Sequence, residues 1–146
     1  ALAGGGQAVV IAGSLSLPQQ SQTVAGPIQG LSTEPLYVDF ALTAGEQVQL
    51  QIPNGHNALV YPFEGEVKIA GSRVQTHQAA ILTDGDSLTI SADGAARMIV
   101  LAAKPIGEPV VQYGPFVMNS VAEIEQAIRD YQAGTLTKMA AGTINV

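Results

Sequence analysis

Cysteine is absent from the 146 residues. That excludes disulfides, thiol catalysis and thiolate metal sites, and it fits a reducing, cytoplasmic setting. Positive charge is scarce: six Lys and Arg stand singly against twelve Asp and Glu, for a net charge of −6. A phosphate backbone would be repelled, so no direct nucleic-acid partner is expected. No stretch approaches the roughly 18 consecutive apolar residues of a membrane span. The apolar run Ala8–Ala12 is short and lacks a basic flank, so it reads as a strand and not as a leader. No G-x-G-x-x-G, no glycine loop followed by Lys-Ser/Thr and no G-x-S-x-G elbow occurs, which removes phosphate cradles and the hydrolase nucleophile. Asp84-Gly85-Asp86 is too short for a calcium loop.

What is present is apolar and turn-rich. Hydrophobic residues make up 47% and charged residues only 12%, which excludes disorder. The length suits one domain with a real core. Few charges, the absence of an initial Met and the Gly4-Gly5-Gly6 start are consistent with a piece of a longer chain that has lost a packed neighbour, or with a removed start Met and a surface of neutral Gln, Ser and Thr.

Period-2 alternation recurs along the chain. Gln7–Ala12 is a short strand. Gly13–Thr33, with Pro18, Pro27, Gly26 and Gly30, reads as a long connection holding at most one further strand. Leu36, Val38, Phe40 and Leu42 share one face of a strand, as do Val48, Leu50 and Ile52. Leu59, Tyr61 and Phe63 alternate with Val60, Pro62 and Glu64, and Glu64-Gly65 then turns into Glu66–Ile69. Gly55–Gly71 is therefore expected to be a hairpin. Gln78–Leu82, the pair Leu88 and Ile90, and Ala96–Ala103 complete the set, the last as a central strand. Short strands with turn signals every roughly 8–12 residues indicate an all-β sandwich or barrel. The tail differs. Ser120-Val121-Ala122-Glu123 is a capping box. Val121, Ile124, Ala127, Ile128 and Tyr131 recur at helical spacing, and Gly134 suits the end of a helix over about 121–133. The apolar stripe of that helix covers either its own barrel or a missing domain.

The run Lys104–Ser120, then Glu123-Ile124 and Asp130–Gly134, resembles the C-terminal end of pirin-family proteins. Leu36–Phe40, Ala44-Gly45 and Pro53–Tyr61 resemble the start of the same family's second domain. The resemblance implies an all-β, cupin-like (RmlC-like) barrel or jelly-roll sandwich with one C-terminal α-helix. Its segments are 1–34 (N-terminal strand and long connection), 35–103 (barrel core) and 104–146 (extended signature segment plus helix), in one domain whose N-terminal cupin is absent. The family's metal, usually iron, belongs to that missing half. Some members have quercetin dioxygenase activity, and an animal member is a nuclear transcription co-regulator. The implied partners are the chain's own N-terminal cupin and, in isolation, a second copy in a homodimer.

The residues here do not repeat the cupin metal motifs. The Glu position before the Gly65 turn is Ala58. The His positions fall near Gln51 or Ile52, Pro53 or Asn54, and Ala96. No catalytic, cofactor or metal residue is therefore expected in this chain. The residual metal candidates are His56, His77 and Glu64, with His56 alternatively a loop histidine hydrogen-bonded in place and His77 an exposed loop residue. His56 and Tyr61 are the candidates for a ligand pocket. Tyr113, Phe116, Ile124, Ile128 and Tyr131 are the candidates for an inter-domain or dimer surface. Tyr113–Phe116 reads as linker packed on a barrel wall, with Phe116 as a plug. The functional expectation is a non-catalytic structural or interaction half. The alternatives are part of a metal-dependent dioxygenase and a standalone small-ligand barrel.

Overall fold

The computed structural model describes residues 1–137. It divides into two compact units, Ala1–Pro105 and Ile106 onward. The first holds β1 (Gln7–Ala12), β2 (Ser14–Leu17), β3 (Gln22–Ala25), β4 (Leu36–Leu42), β5 (Gln47–Gln51), β6 (Asn57–Glu64), β7 (Val67–Ile69), β8 (Ser72–Val74), β9 (Ala80–Ile81), β10 (Ser87–Ser91) and β11 (Ala96–Ala103). A five-stranded antiparallel sheet runs β1-β4-β11-β6-β9, and a four-stranded sheet runs β5-β10-β7-β8. From β4 onward the chain crosses between the two sheets at almost every connection. That is the jelly-roll way of burying two apolar faces against each other. The ladders stay as two sheets and do not close into one continuous barrel.

The expected faces of β4 and β5 are the observed ones. Val38, Phe40, Leu50 and Ile90 are fully buried, together with Val60, Met98 and Val100. Each such side chain contributes about 1.5–3 kcal/mol on leaving water. The central position of β11, between β4 and β6, matches its nearly unbroken apolar run.

Two expectations fail. Gly13–Thr33 holds two strands, not one: β2 and β3 pair in register Ser14↔Ala25 to Leu17↔Gln22, joined by a short 3-10 turn at Pro18–Gln20. Leu15 and Leu17 are buried in the core, while Ser16 donates to the Gln51 side chain at 3.2 Å. The Gly55–Gly71 hairpin does not form either. β6 pairs with β11 and β9, whereas β7 pairs with β10 and β8. Glu64-Gly65 is a corner between sheets, not a hairpin turn. The local hairpin is the next one, Val67↔Val74 to Ile69↔Ser72, turned by Ala70 and Gly71 at φ 49° and 78°, the doubly positive geometry of a tight two-residue turn. Alternating strands with a glycine between them cannot distinguish the two cases. The choice depends on which distant strand completes the ladder.

The second unit is a hairpin of β12 (Val111–Tyr113) and β13 (Phe116–Met118), followed by α1 (Val121–Gln132). Tyr113–Phe116 is thus not extended linker. Gly114 at φ 57° and Pro115 form the two-residue turn between paired Tyr113 and Phe116. The Ser120 hydroxyl accepts from Glu123 N at 3.3 Å, and the Glu123 carboxylate accepts from Asn119 N at 3.1 Å, so the capping box forms with its return bond one residue early. Gly134, at φ 67°, ends the helix. Ile124 and Ala127 are buried where α1 lies on the β12–β13 hairpin, so Ile124 offers no free surface in this chain. Tyr113 and Tyr131 remain exposed. Residues 138–146 of the expected 104–146 segment lie outside the described residues. Among the described residues no helix is long and apolar enough to cross a membrane.

Candidate functional site

Pro53-Asn54-Gly55 interrupts the path from β5 to β6 and throws His56 inward. Gly55 takes φ 80°, and the Pro53 carbonyl accepts from the backbone N–H of His56 at 3.2 Å. The same carbonyl lies 3.2 Å from His56 Nδ1. A carbonyl can only accept, so Nδ1 carries the ring hydrogen, and Nε2 of the neutral ring is left as a bare acceptor. The His56 side chain is only 5% exposed. No protein group among the described residues hydrogen-bonds to Nε2. Glu34 Oε2 approaches it at 3.8 Å, too far for a hydrogen bond. The other oxygen of Glu34 meets Lys104 Nζ at 3.3 Å, and Lys104 N donates to the Thr33 carbonyl at 2.8 Å.

This constellation lines a cavity of about 260 Å³ whose other walls are Gly13, Ser14, Ile28, Gln29, Gly30, Leu31, Pro35, Leu36, Pro53 and Ala102. Apolar side chains dominate the wall, with His56 and Glu34 as its ionisable members. On its other side His56 borders a smaller cavity of about 180 Å³ among Ile52, Ala58, Leu82 and Leu88. Sequence reasoning reached His56 but missed Glu34, which lies far off in sequence, in front of Pro35, and carries no motif.

Tyr61 does not join His56. Along β6 the side chains alternate, with Val60 and Pro62 buried in the core, so His56 and Ala58 share the inner side while Tyr61 points out of the sheet. There its ring lies 6.3 Å from that of His77. His77 is an exposed turn residue at φ 66°, and Glu64 Oε1 lies 3.6 Å from Arg97 on the sheet exterior. The trio His56, His77 and Glu64 is therefore not brought together: a bulge in the β6–β11 ladder, where Arg97 pairs with Glu64 but Met98 with Pro62, leaves Glu64 exposed beside Arg97, and His77 lies on an exposed turn. At the positions where a cupin metal motif would place ligands, Ile52 and Ala96 are buried, Ala58 packs against the core, and Gln51, Pro53 and Asn54 are exposed. Among the described residues no group of three or more His, Asp or Glu could hold a metal. The donor set here does not fit the family's iron.

The two-sheet jelly roll, with this apolar interior and a C-terminal hairpin and helix, defines a cupin-type domain. Residues 37–137 match the family model described as the pirin C-terminal cupin domain, and the chain belongs to the pirin family. It is 44% identical over 137 residues to a putative quercetin 2,3-dioxygenase of Pseudomonas aeruginosa, covering 92% of this chain and 47% of that protein. It is 38% identical to human pirin over 106 residues, covering 68% of this chain and 37% of that one. Among solved structures, a quercetin 2,3-dioxygenase from Acinetobacter baumannii superposes with a TM-score of 0.76 at 31% identity, covering 93% of this chain and 46% of that chain. The chain spans about half the length of the curated relatives it matches.

Proposed function

We propose that this domain is the non-catalytic half of a two-domain pirin-like protein, and that it works by packing the outer face of its five-stranded sheet on a second cupin domain. The observation that carries this reading is the difference between the two outer faces. The four-stranded sheet turns Gln47, Gln49, Gln51, Ser87 and Thr89 outward, opposite the buried Val48, Leu50, Leu88 and Ile90, the ordinary apolar-in, polar-out alternation. The five-stranded sheet turns Val9, Leu59, Tyr61, Ile99 and Leu101 outward, with Ile81 beside Leu59. Val9 and Ile81 are 57% and 73% exposed. A sheet apolar on both sides is the pattern of one covered on both sides, and exposed apolar patches of this kind mark interaction surfaces. The charged members of the face neutralise one another: Asp39, between Val9 and Ile99 in the middle of β4, bonds Arg97 at 3.0 Å, and Arg97 lies 4.9 Å over the Phe63 ring. The occupant is a cupin half because the relatives are about twice this length.

Light scattering on the isolated chain should show self-association through this face. The paired substitutions Leu59→Lys and Ile81→Lys, neither in the core, should return it to a monomer with an unchanged fold. Co-expression with the N-terminal cupin half of a relative should replace self-association with a one-to-one complex. A chain that is monomeric at its highest soluble concentration and ignores that half would overturn the proposal.

In this reading any dioxygenase chemistry of the parent protein resides in the other half, since the inward positions here are Ala58, Ile52 and Ala96. Elemental analysis of the purified chain should then find iron, copper and zinc well below one per chain. One tightly bound ion per chain would contradict the assignment.

A further inference from the structure

The His56 cavity has no part in the packing role just described, and its chemistry calls for a ligand. A buried acceptor without a donor costs free energy on the scale of a lost hydrogen bond, about 1–3 kcal/mol. Where native structures keep such an atom, a water, an ion or a bound ligand supplies the missing partner. His56 Nε2 is such an atom. Its tautomer is set by the Pro53 carbonyl; the side chain is 5% exposed and lines a cavity of about 260 Å³, with Glu34 of the same wall standing 3.8 Å from Nε2. A cavity of roughly 150 Å³ already holds a benzene ring, so this one holds a ring and its substituents.

We propose that this cavity binds a small neutral hydroxyl compound, an alcohol or phenol of one ring, whose O–H donates to His56 Nε2 while Ile28, Leu31 and Leu36 enclose its carbon frame. Three observations restrict the class. The bare nitrogen accepts, so the ligand must donate. Glu34 is already neutralised by Lys104 at 3.3 Å, so the cavity carries no net charge to attract an ion. The wall is mainly apolar, which rewards a carbon frame over a polyol. Glu34, 61% exposed and 3.8 Å from Nε2, stands beside the donor position. Its long side chain reaches solvent and can turn aside as a ligand enters, which uncovers Nε2.

Phenol and toluene are the probes, because toluene carries a methyl where phenol carries its hydroxyl. In a long-range proton–nitrogen spectrum of the chain, saturating phenol should shift the His56 Nε2 resonance and the amides of Gly30 and Leu31. Toluene should bind about tenfold more weakly, the loss of one buried hydrogen bond. His56→Leu removes the acceptor and should abolish the preference for phenol. Equal affinities for the two probes, or no saturable shift with phenol, would overturn the proposal. If His56→Leu does not fold, the comparison of the two probes on the unaltered chain decides by itself.

Discussion

Replacing Glu46 with Ala should lower stability by about 3 kcal/mol and release the N-terminal segment from the sandwich. Glu46 is a buried carboxylate, 6% exposed. One of its carboxylate oxygens accepts from Gly4 N at 3.1 Å and Gly6 N at 3.3 Å. The other accepts from Thr43 N at 2.8 Å and from the Thr43 hydroxyl at 3.0 Å. Hydrogen bonds to a charged acceptor contribute about 1.5–3 kcal/mol each. Their loss together strands several donors, some of which water then rescues, and the figure of 3 reflects that rescue. The glycine triplet has its reason here. A Cβ on Gly4 would sit 2.7 Å from the Glu46 side chain, and one on Gly6 would run into both that carboxylate and the Ala41 carbonyl. Amide exchange should accelerate at Leu2, Gly4 and Gly6 in Glu46→Ala, and Glu46→Gln, which keeps one oxygen acceptor, should recover part of the loss. An unchanged urea midpoint would show that the clasp contributes nothing.

The second large effect is expected at the corner between the sheets. Gly65 takes φ 69°, and a Cβ there would collide with the Ala95 carbonyl and lie 3.1 Å from Ala96 Cα. Both neighbours are backbone at the start of the central strand and cannot swing away. Gly65→Ala therefore combines the left-handed penalty of about 1–2 kcal/mol with the cost of forcing strands apart, for a loss of about 3 kcal/mol or more. Gly71 is the control. It has φ 78° but nothing within 4 Å of a built Cβ, so Gly71→Ala should lose only about 1 kcal/mol. Similar midpoint shifts for the two variants in urea, at equal slope, would mean that the corner yields and that φ alone sets the cost.

The same residue marks how far the sequence can be read. Gly65 announces a reversal of the chain, and nothing local tells whether the next strand returns to its neighbour or crosses to the opposite sheet. The answer lies in β11, some thirty residues on, which takes the place beside β6 that a hairpin would have given to β7. Ser14–Leu17 and Gln22–Ala25 were hidden for a different reason. Each is four residues long and rich in Ser, Gln and Thr, and only the burial of Leu15 and Leu17 under the β5 edge makes them strands. In the candidate site, His56 could be named because the chain has only two histidines. Tyr61 does not share that site because side chains alternate along β6 and its ring lies beside His77.

By itself the sequence determined the class: strand periods, the missing cysteine and few basic residues, the capped helix, the pirin-type tail and the absence of a metal motif. These are local or compositional properties, legible because they repeat over a few residues. Which sheet each strand joins, which apolar face is buried and which is left outward, and the meeting of His56 with Glu34 were decided only by the tertiary structure. The physical reason is that each is a pairing between segments far apart in the chain, chosen by the shared burial of both partners and encoded in neither alone.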